Sequence, residues 1–141
     1  MCEPIKLEFD VDGTNFSAAG DASMSLKKEL RDLGFSPITI RRASIAMYEG
    51  EINMVIHAGG GKAFVYITPE ILKIVLEDHG PGIPDVEKAM AEGYSTASAE
   101  IRNRGFGAGM GLPNMKKNTD ELKIDSVVGK GTTVQMLIKT V

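Results

Sequence analysis

Long apolar runs are missing from this 141-residue chain, and no stretch approaches the ~20 residues that a membrane-spanning helix requires. No secretory leader is expected either. Its basic-then-apolar layout is replaced by Glu3, Glu8 and Asp10 within the first ten residues. Cysteine is represented once, by Cys2, which excludes an internal disulfide and permits a reducing compartment. Charge of one sign is scarce as well: the formal net charge is −3, so no electrostatic grip on nucleic acid or acidic lipid is expected. Internal repeats and low-complexity linkers are absent. These absences leave a soluble, cytoplasmic protein, read as one domain over residues 1–141.

What is present is a regular alternation of patterns. Residues 5–10 alternate apolar and polar, the period of a half-buried strand, and Asp12-Gly13-Thr14-Asn15 breaks them as a turn. Residues 17–33 have helix-forming composition; Met24, Leu26, Leu30 and Leu33 are expected to form its buried stripe, and Gly34 ends it. Ser36-Pro37 opens a longer helix over 38–58, since proline costs little in a first turn, and Gly59-Gly60-Gly61 is expected to stop it. Strands are predicted over 63–68 and 72–77, linked as an antiparallel hairpin through Pro69-Glu70. A short helix over 85–91, a polar glycine-bearing stretch over 93–108 and a helix over 110–117 follow. Strands over 122–126 and 132–139, joined through Gly129-Lys130-Gly131, close the chain. The order β-α-α-β-β-α-α-β-β predicts an α+β, two-layer sandwich: a mixed, mostly antiparallel sheet with helices on one face.

Three clusters carry chemistry. Glu49, Asn53 and His57 fall at i, i+4 and i+8 of the long helix, so their side chains share one face and can converge on one ligand. The bland alternative is a solvated polar stripe. Ile45, Ile52, Val55 and Ile56 oppose it by marking the helix as largely buried, where an asparagine needs a partner. Glu51 lies on a different face and is expected to be solvated. The second cluster, Asp78-x-Gly80-x-Gly82, sits where an apolar strand ends. A carboxylate there can accept a hydrogen bond from an exocyclic amine, and the glycines let the backbone approach a flat ring; an ordinary β-to-α turn would look the same. The third is the run from Gly105 to Gly111, with glycine at 105, 107, 109 and 111. It is either a cradle of backbone amides for phosphate oxygens or a flexible loop. It is not a Rossmann fingerprint, because Met110 and Leu112 occupy the third-glycine positions. No P-loop exists either, since Gly61-Lys62 is followed by Ala63.

Taken in order, the clusters resemble the N, G1 and G2 boxes of the GHKL (Bergerat-fold) ATPase and kinase superfamily. Glu49-x-x-x-Asn53 is similar to the N box, Asp78-His79-Gly80-Pro81-Gly82-Ile83 to G1 and Gly105–Gly111 to G2. Gly131-Thr132-Thr133 matches the closing strand motif. The likeness covers about Pro37 to Val141. Within the superfamily it is nearest to small bacterial anti-sigma-factor and stressosome switch kinases, notably through Gly80–Asp85 and Gly93-Tyr94-Ser95-Thr96.

The resemblance implies ATP and Mg²⁺ as cofactors. Asn53 would hold Mg²⁺, and Glu49 would be the general base or would order a metal-bound water. Asp78 would bind the adenine amine within the G1 box (Gly80, Gly82, Ile83), beside Thr132 or Thr133. Gly105, Gly107, Gly109, Met110 and Gly111 would wrap the phosphates, and residues 93–108 would form the lid. His57 faces the same way, toward a phosphate or a structural hydrogen bond. Residues Ala97–Arg104 lengthen the lid relative to the shortest switch kinases, and Arg102 and Arg104 add charge that either meets the terminal phosphate or stays solvated. The absence of a sensor, a phosphorylatable histidine domain or a transmembrane segment argues against a complete histidine kinase, a gyrase or a chaperone. The expected function is a serine/threonine kinase phosphorylating a small regulatory protein, an anti-sigma antagonist or a sigma factor. The alternative is a non-catalytic, nucleotide-dependent sequestering switch. A homodimer through the N-terminal strand is a further expectation.

Overall fold

The computed structural model describes residues 3–14, 18–90 and 111–140. The elements run β1 (Ile5–Asp12), α1 (Asp21–Asp32), α2 (Pro37–Ala58), β2 (Gly60–Ile67), β3 (Ile71–Asp78), α3 (Val86–Ala89), α4 (Gly111–Lys117), β4 (Glu121–Val127) and β5 (Gly131–Lys139). The strands form one sheet in the order β1-β2-β3-β5-β4, and every pairing among the described residues is antiparallel. Helices α1, α2 and α4 cover one face. This is the expected α+β sandwich.

Side-chain alternation places the core. Leu72, Ile74 and Leu76 of β3 and Val134, Met136 and Ile138 of β5 point to the helices, where they meet Leu26, Leu30, Met47, Met54 and Met115. On the other face Lys6 lies 5.3 Å from the Phe64 ring centroid and 5.8 Å from that of Tyr66, so its stem and charge cover the aromatics.

Helix α2 is the longest element and has both ends fixed chemically. The Ser36 hydroxyl accepts from the Thr39 amide at 3.3 Å, Pro37 stands in the first turn, and Gly59, left-handed at φ 72°, closes the helix by donating to Met54 O. The triple glycine does less breaking than expected. Gly59 alone ends the helix, while Gly60 and Gly61 already pair with Asp12 and Val11 as the start of β2.

The predicted stripe of α1 is corrected. Leu26 and Leu30 are fully buried, but Met24 is 71% and Leu33 42% exposed, and Ala22 and Ser23 complete the buried face. Met24 and Leu26 are two residues apart, roughly 200° around the helix, so one face cannot hold both.

Candidate functional site

The C-terminal end of β3 builds one half of the site. Asp78 has the same strand parity as Leu72, Ile74 and Leu76, so its side chain stands on the helix-covered face. Its Oδ1 accepts from the amides of Gly80 at 3.0 Å and Thr132 at 3.2 Å. Among the described residues no donor reaches Oδ2, so a fixed acceptor is left for an incoming amine.

The loop after Asp78 is held from two sides. A Cβ at Gly80 would stand 2.6 Å from the Cβ of Ala58, at the end of α2. Gly82 adopts φ 81°, and a Cβ there would stand 2.6 Å from Val127 O; only glycine fits that turn and that approach. The Ile83 amide donates to Ser126 Oγ at 2.7 Å, and Ser126 Oγ lies 2.8 Å from Thr132 Oγ1. Ser126, Thr132 and Asp78 occupy one cross-strand row at the sheet's end, in register across β4, β5 and β3.

The second half lies on α2. Glu49 and Asn53 are one turn apart, about 6 Å along the axis and on neighbouring positions of one flank. Both are half-buried. Glu49 Oε1 accepts from Asn114 Nδ2 of α4 at 3.2 Å, so this flank faces α4. Burial raises the Glu49 pKa and the Asn114 hydrogen bond opposes that rise. His57 is one further turn along, and burial lowers its pKa, favouring the neutral ring. Since the G1 loop abuts Ala58 and Asp78 lies under the helices, Asn53 and Asp78 share one side of the sheet.

Two expectations are corrected. Glu51 does lie on another face of α2, but it is 2% exposed rather than solvated. Helix α1 starts at Gly20 without a side-chain cap of its own, and its orphan amides take Glu51 instead. Gly20 N and Ala22 N donate to Oε2 at 3.0 and 3.1 Å, and Ser23 N donates to Oε1 at 2.6 Å. Of the two closing-strand threonines, only Thr132 joins the Asp78 row. Thr133 has the opposite parity and stands on the face away from the helices, across from Glu77 and Asp125.

Gly105, Gly107, Gly109, Met110, Arg102, Arg104 and the whole stretch 93–108 lie outside the described residues. Gly111 lies inside them and opens α4; a Cβ there would stand 3.7 Å from Glu49 Oε2.

A scan against known protein families matches residues 39–141 to the histidine kinase-, DNA gyrase B-, and HSP90-like ATPases. The chain belongs to that ATPase family. It is 34% identical over 140 residues to the serine/threonine-protein kinase RsbT of Bacillus subtilis (strain 168), covering 96% of this chain and 93% of the relative. It is 43% identical over 96 residues to an anti-sigma F factor of Caldanaerobacter subterraneus subsp. tengcongensis, covering 64% of each chain. Among solved structures, the RsbU and RsbW domains of Rv1364c from Mycobacterium tuberculosis superpose with a TM-score of 0.61 at 17% identity, over 95% of this chain and 32% of that one. The mycobacterial sensor histidine kinase MprB gives 0.55 at 17% identity, over 96% of this chain and 97% of that one. Both likenesses are of fold.

Within this ATPase fold Ser126 and Asn114 join the site without having stood out in the sequence, and Glu51 stood out only as a solvated residue. Ser126 left a signal, as the polar end of the inward series Leu122, Ile124, Ser126 on β4. Asn114 left a fainter one, a polar residue among the buried Leu112, Pro113 and Met115.

Proposed function

We propose that the chain binds Mg-ATP and transfers its γ-phosphoryl group to a serine or threonine of a small regulatory protein. Its family and relatives make it an ATP-binding regulator of the kinase and anti-sigma type that acts on a partner protein. The observation that carries the kinase reading is Glu49. It is a half-buried carboxylate of raised pKa, tied at one oxygen, one turn from Asn53 and on the same side of the sheet as Asp78. A module that only binds nucleotide has no use for a positioned base.

In this reading Asp78 Oδ2 accepts the adenine amine while Gly80, Thr132, Ser126 and Ile83 hold the G1 loop that forms the base's floor. Asn53 would offer one amide oxygen to Mg²⁺, which suits a cation that takes oxygen ligands and keeps water and phosphate oxygens for the rest. When bound, that metal neutralises charge on the phosphates. The partner's hydroxyl oxygen attacks the γ-phosphorus, the bond from phosphorus to the ADP oxygen breaks, and the hydroxyl proton passes to Glu49. His57 lines the same flank. The glycines at 105, 107, 109 and 111, with Met110, are assigned to the phosphates.

Incubating the protein with radiolabelled Mg-ATP and its co-purifying cellular proteins tests this reading. Label should appear on a partner's serine or threonine, and the Glu49→Ala variant should lose it. Nucleotide-dependent partner binding without labelling would favour a sequestering switch, the reading that the anti-sigma F likeness supports. Two lesser expectations travel with the proposal. Among the described residues no helix is long and apolar enough to cross a membrane, which accords with a cytoplasmic location. Among the described residues strand β1 pairs only with β2, which leaves its other edge for a homodimer; a native mass equal to one chain would remove that idea.

A further inference from the structure

We propose that Asn114 is a positioning residue for Glu49: its side-chain amide, delivered by α4, holds one carboxylate oxygen and leaves the other turned toward the start of that helix. The inference rests on the reading of Glu49 as the base and adds to it the group that aims it.

The geometry is specific. An ionised carboxylate can only accept, so Asn114 presents its nitrogen, 3.2 Å from Glu49 Oε1, across 65 residues of sequence. The other oxygen, Oε2, is 3.7 Å from where a Cβ on Gly111 would stand. The tether is itself anchored. Met115 is fully buried and Leu112 nearly so, on either side of Asn114, and the Asn114 carbonyl accepts from the Asn118 amide at 3.2 Å and its side chain at 2.8 Å. No other hydrogen bond from a described residue reaches the Glu49 carboxylate. Among the described residues, Asn114 is thus the donor that sets where it points.

The chemical need is equally specific. A glutamate has three side-chain torsions, and a base must stand within hydrogen-bond reach of the proton it takes. Burial favours the protonated acid, which cannot act as a base; a donor on Oε1 favours the ionised form and opposes burial. Asn114 therefore both aims Glu49 and helps keep it charged. It touches no substrate in this scheme and acts through Glu49.

Two measurements on the full chain test the proposal. The first follows the Glu49 side-chain carboxyl carbon by NMR across pH, with no nucleotide present. Its midpoint should rise in Asn114→Ala and rise further in Asn114→Asp, where a like charge replaces the donor. The second follows hydrolysis of radiolabelled Mg-ATP to ADP and phosphate in single turnovers, with water standing in for the partner's hydroxyl as acceptor. Asn114→Ala should slow it about tenfold at neutral pH, with Mg-ATP affinity within about twofold of the parent. The acid limb of the rate profile should move in step with the NMR midpoint. Asn114→Gln, which keeps a donor on a longer arm, should recover part of the loss. An unchanged Glu49 midpoint in both Asn114→Ala and Asn114→Asp overturns the proposal. If Glu49→Gln consumes Mg-ATP as fast as the parent, the reading of Glu49 as base is what fails, and the titration alone then decides the role of Asn114.

Discussion

Glu49 and Glu51 stand two residues apart on one helix and live in opposite worlds. Roughly 200° of helical rotation sends Glu49 toward α4 and Glu51 toward α1. Glu51 receives three backbone amides and is closed off from solvent. Among the described residues Glu49 receives one side-chain amide, on Oε1, and none reaches Oε2. Burial raises the pKa of both, so a shifted titration does not by itself separate a base from a brace. The hydrogen-bond inventory separates them. Where the fold engages both oxygens the group is structural; where the described residues leave one without a donor beside a metal-ligand candidate, it can do chemistry.

The largest test of that contrast is Glu49→Gln. Phosphoryl transfer should fall by about 10²- to 10⁴-fold, the usual worth of a positioned base, while thermal unfolding stays within a degree or so of the parent. Glu51→Ala should do the reverse. Three buried amides lose their acceptor, so stability should drop by roughly 2–4 kcal/mol in a denaturant titration, with transfer per folded molecule preserved. Retained stability in that variant would show that water reaches the start of α1.

The two flanks also predict opposite responses to pH. With Glu49 as the proposed base, transfer should rise with pH through a midpoint above that of a free glutamate, roughly 4.3. Stability should move the other way. Between that value and their raised folded values, Glu49 and Glu51 bind more protons folded than unfolded, so their contribution is greatest at the acid end and declines as pH rises. Replacing Glu51 with Gln should flatten the stability curve without moving the activity curve.

A smaller pair of variants probes the sheet's end. Ser126→Ala should weaken Mg-ATP binding several-fold, because the Ile83 amide and Thr132 hydroxyl lose their shared partner, worth about 1 kcal/mol. Thr133→Val should leave affinity unchanged, as its side chain lies across the sheet. Isothermal titration measures both, and an equal effect would contradict the assigned register.

Periodicity makes the order of the nine described elements legible, as do the capped ends of α2. Glu49 and Asn53 were legible for the same reason, since a spacing of four is a statement about one helical face. What escaped was whatever depended on two distant segments meeting. Glu51 is bound by amides 28 to 31 residues away, and backbone amides leave no trace in residue type. Asn114 acquires meaning only once α4 packs beside α2. The choice between Thr132 and Thr133 waited on strand register, where one residue's slip exchanges the two faces. Met24 fails by its angle, roughly 200° from Leu26, whereas Leu33 has the right angle and is exposed because it caps the C-terminal end of α1.

On the proposal that Asp78 receives the adenine amine, its anchoring has a consequence for which nucleobase enters. Two backbone amides immobilise Oδ1, so the carboxylate cannot rotate to present anything other than an acceptor to its visitor. Guanine carries a carbonyl at the ring position where adenine carries its amine, and oxygen facing oxygen is repulsive in a partly desolvated site. GTP should therefore compete poorly, excluded by what the aspartate cannot offer as much as ATP is welcomed by what it can.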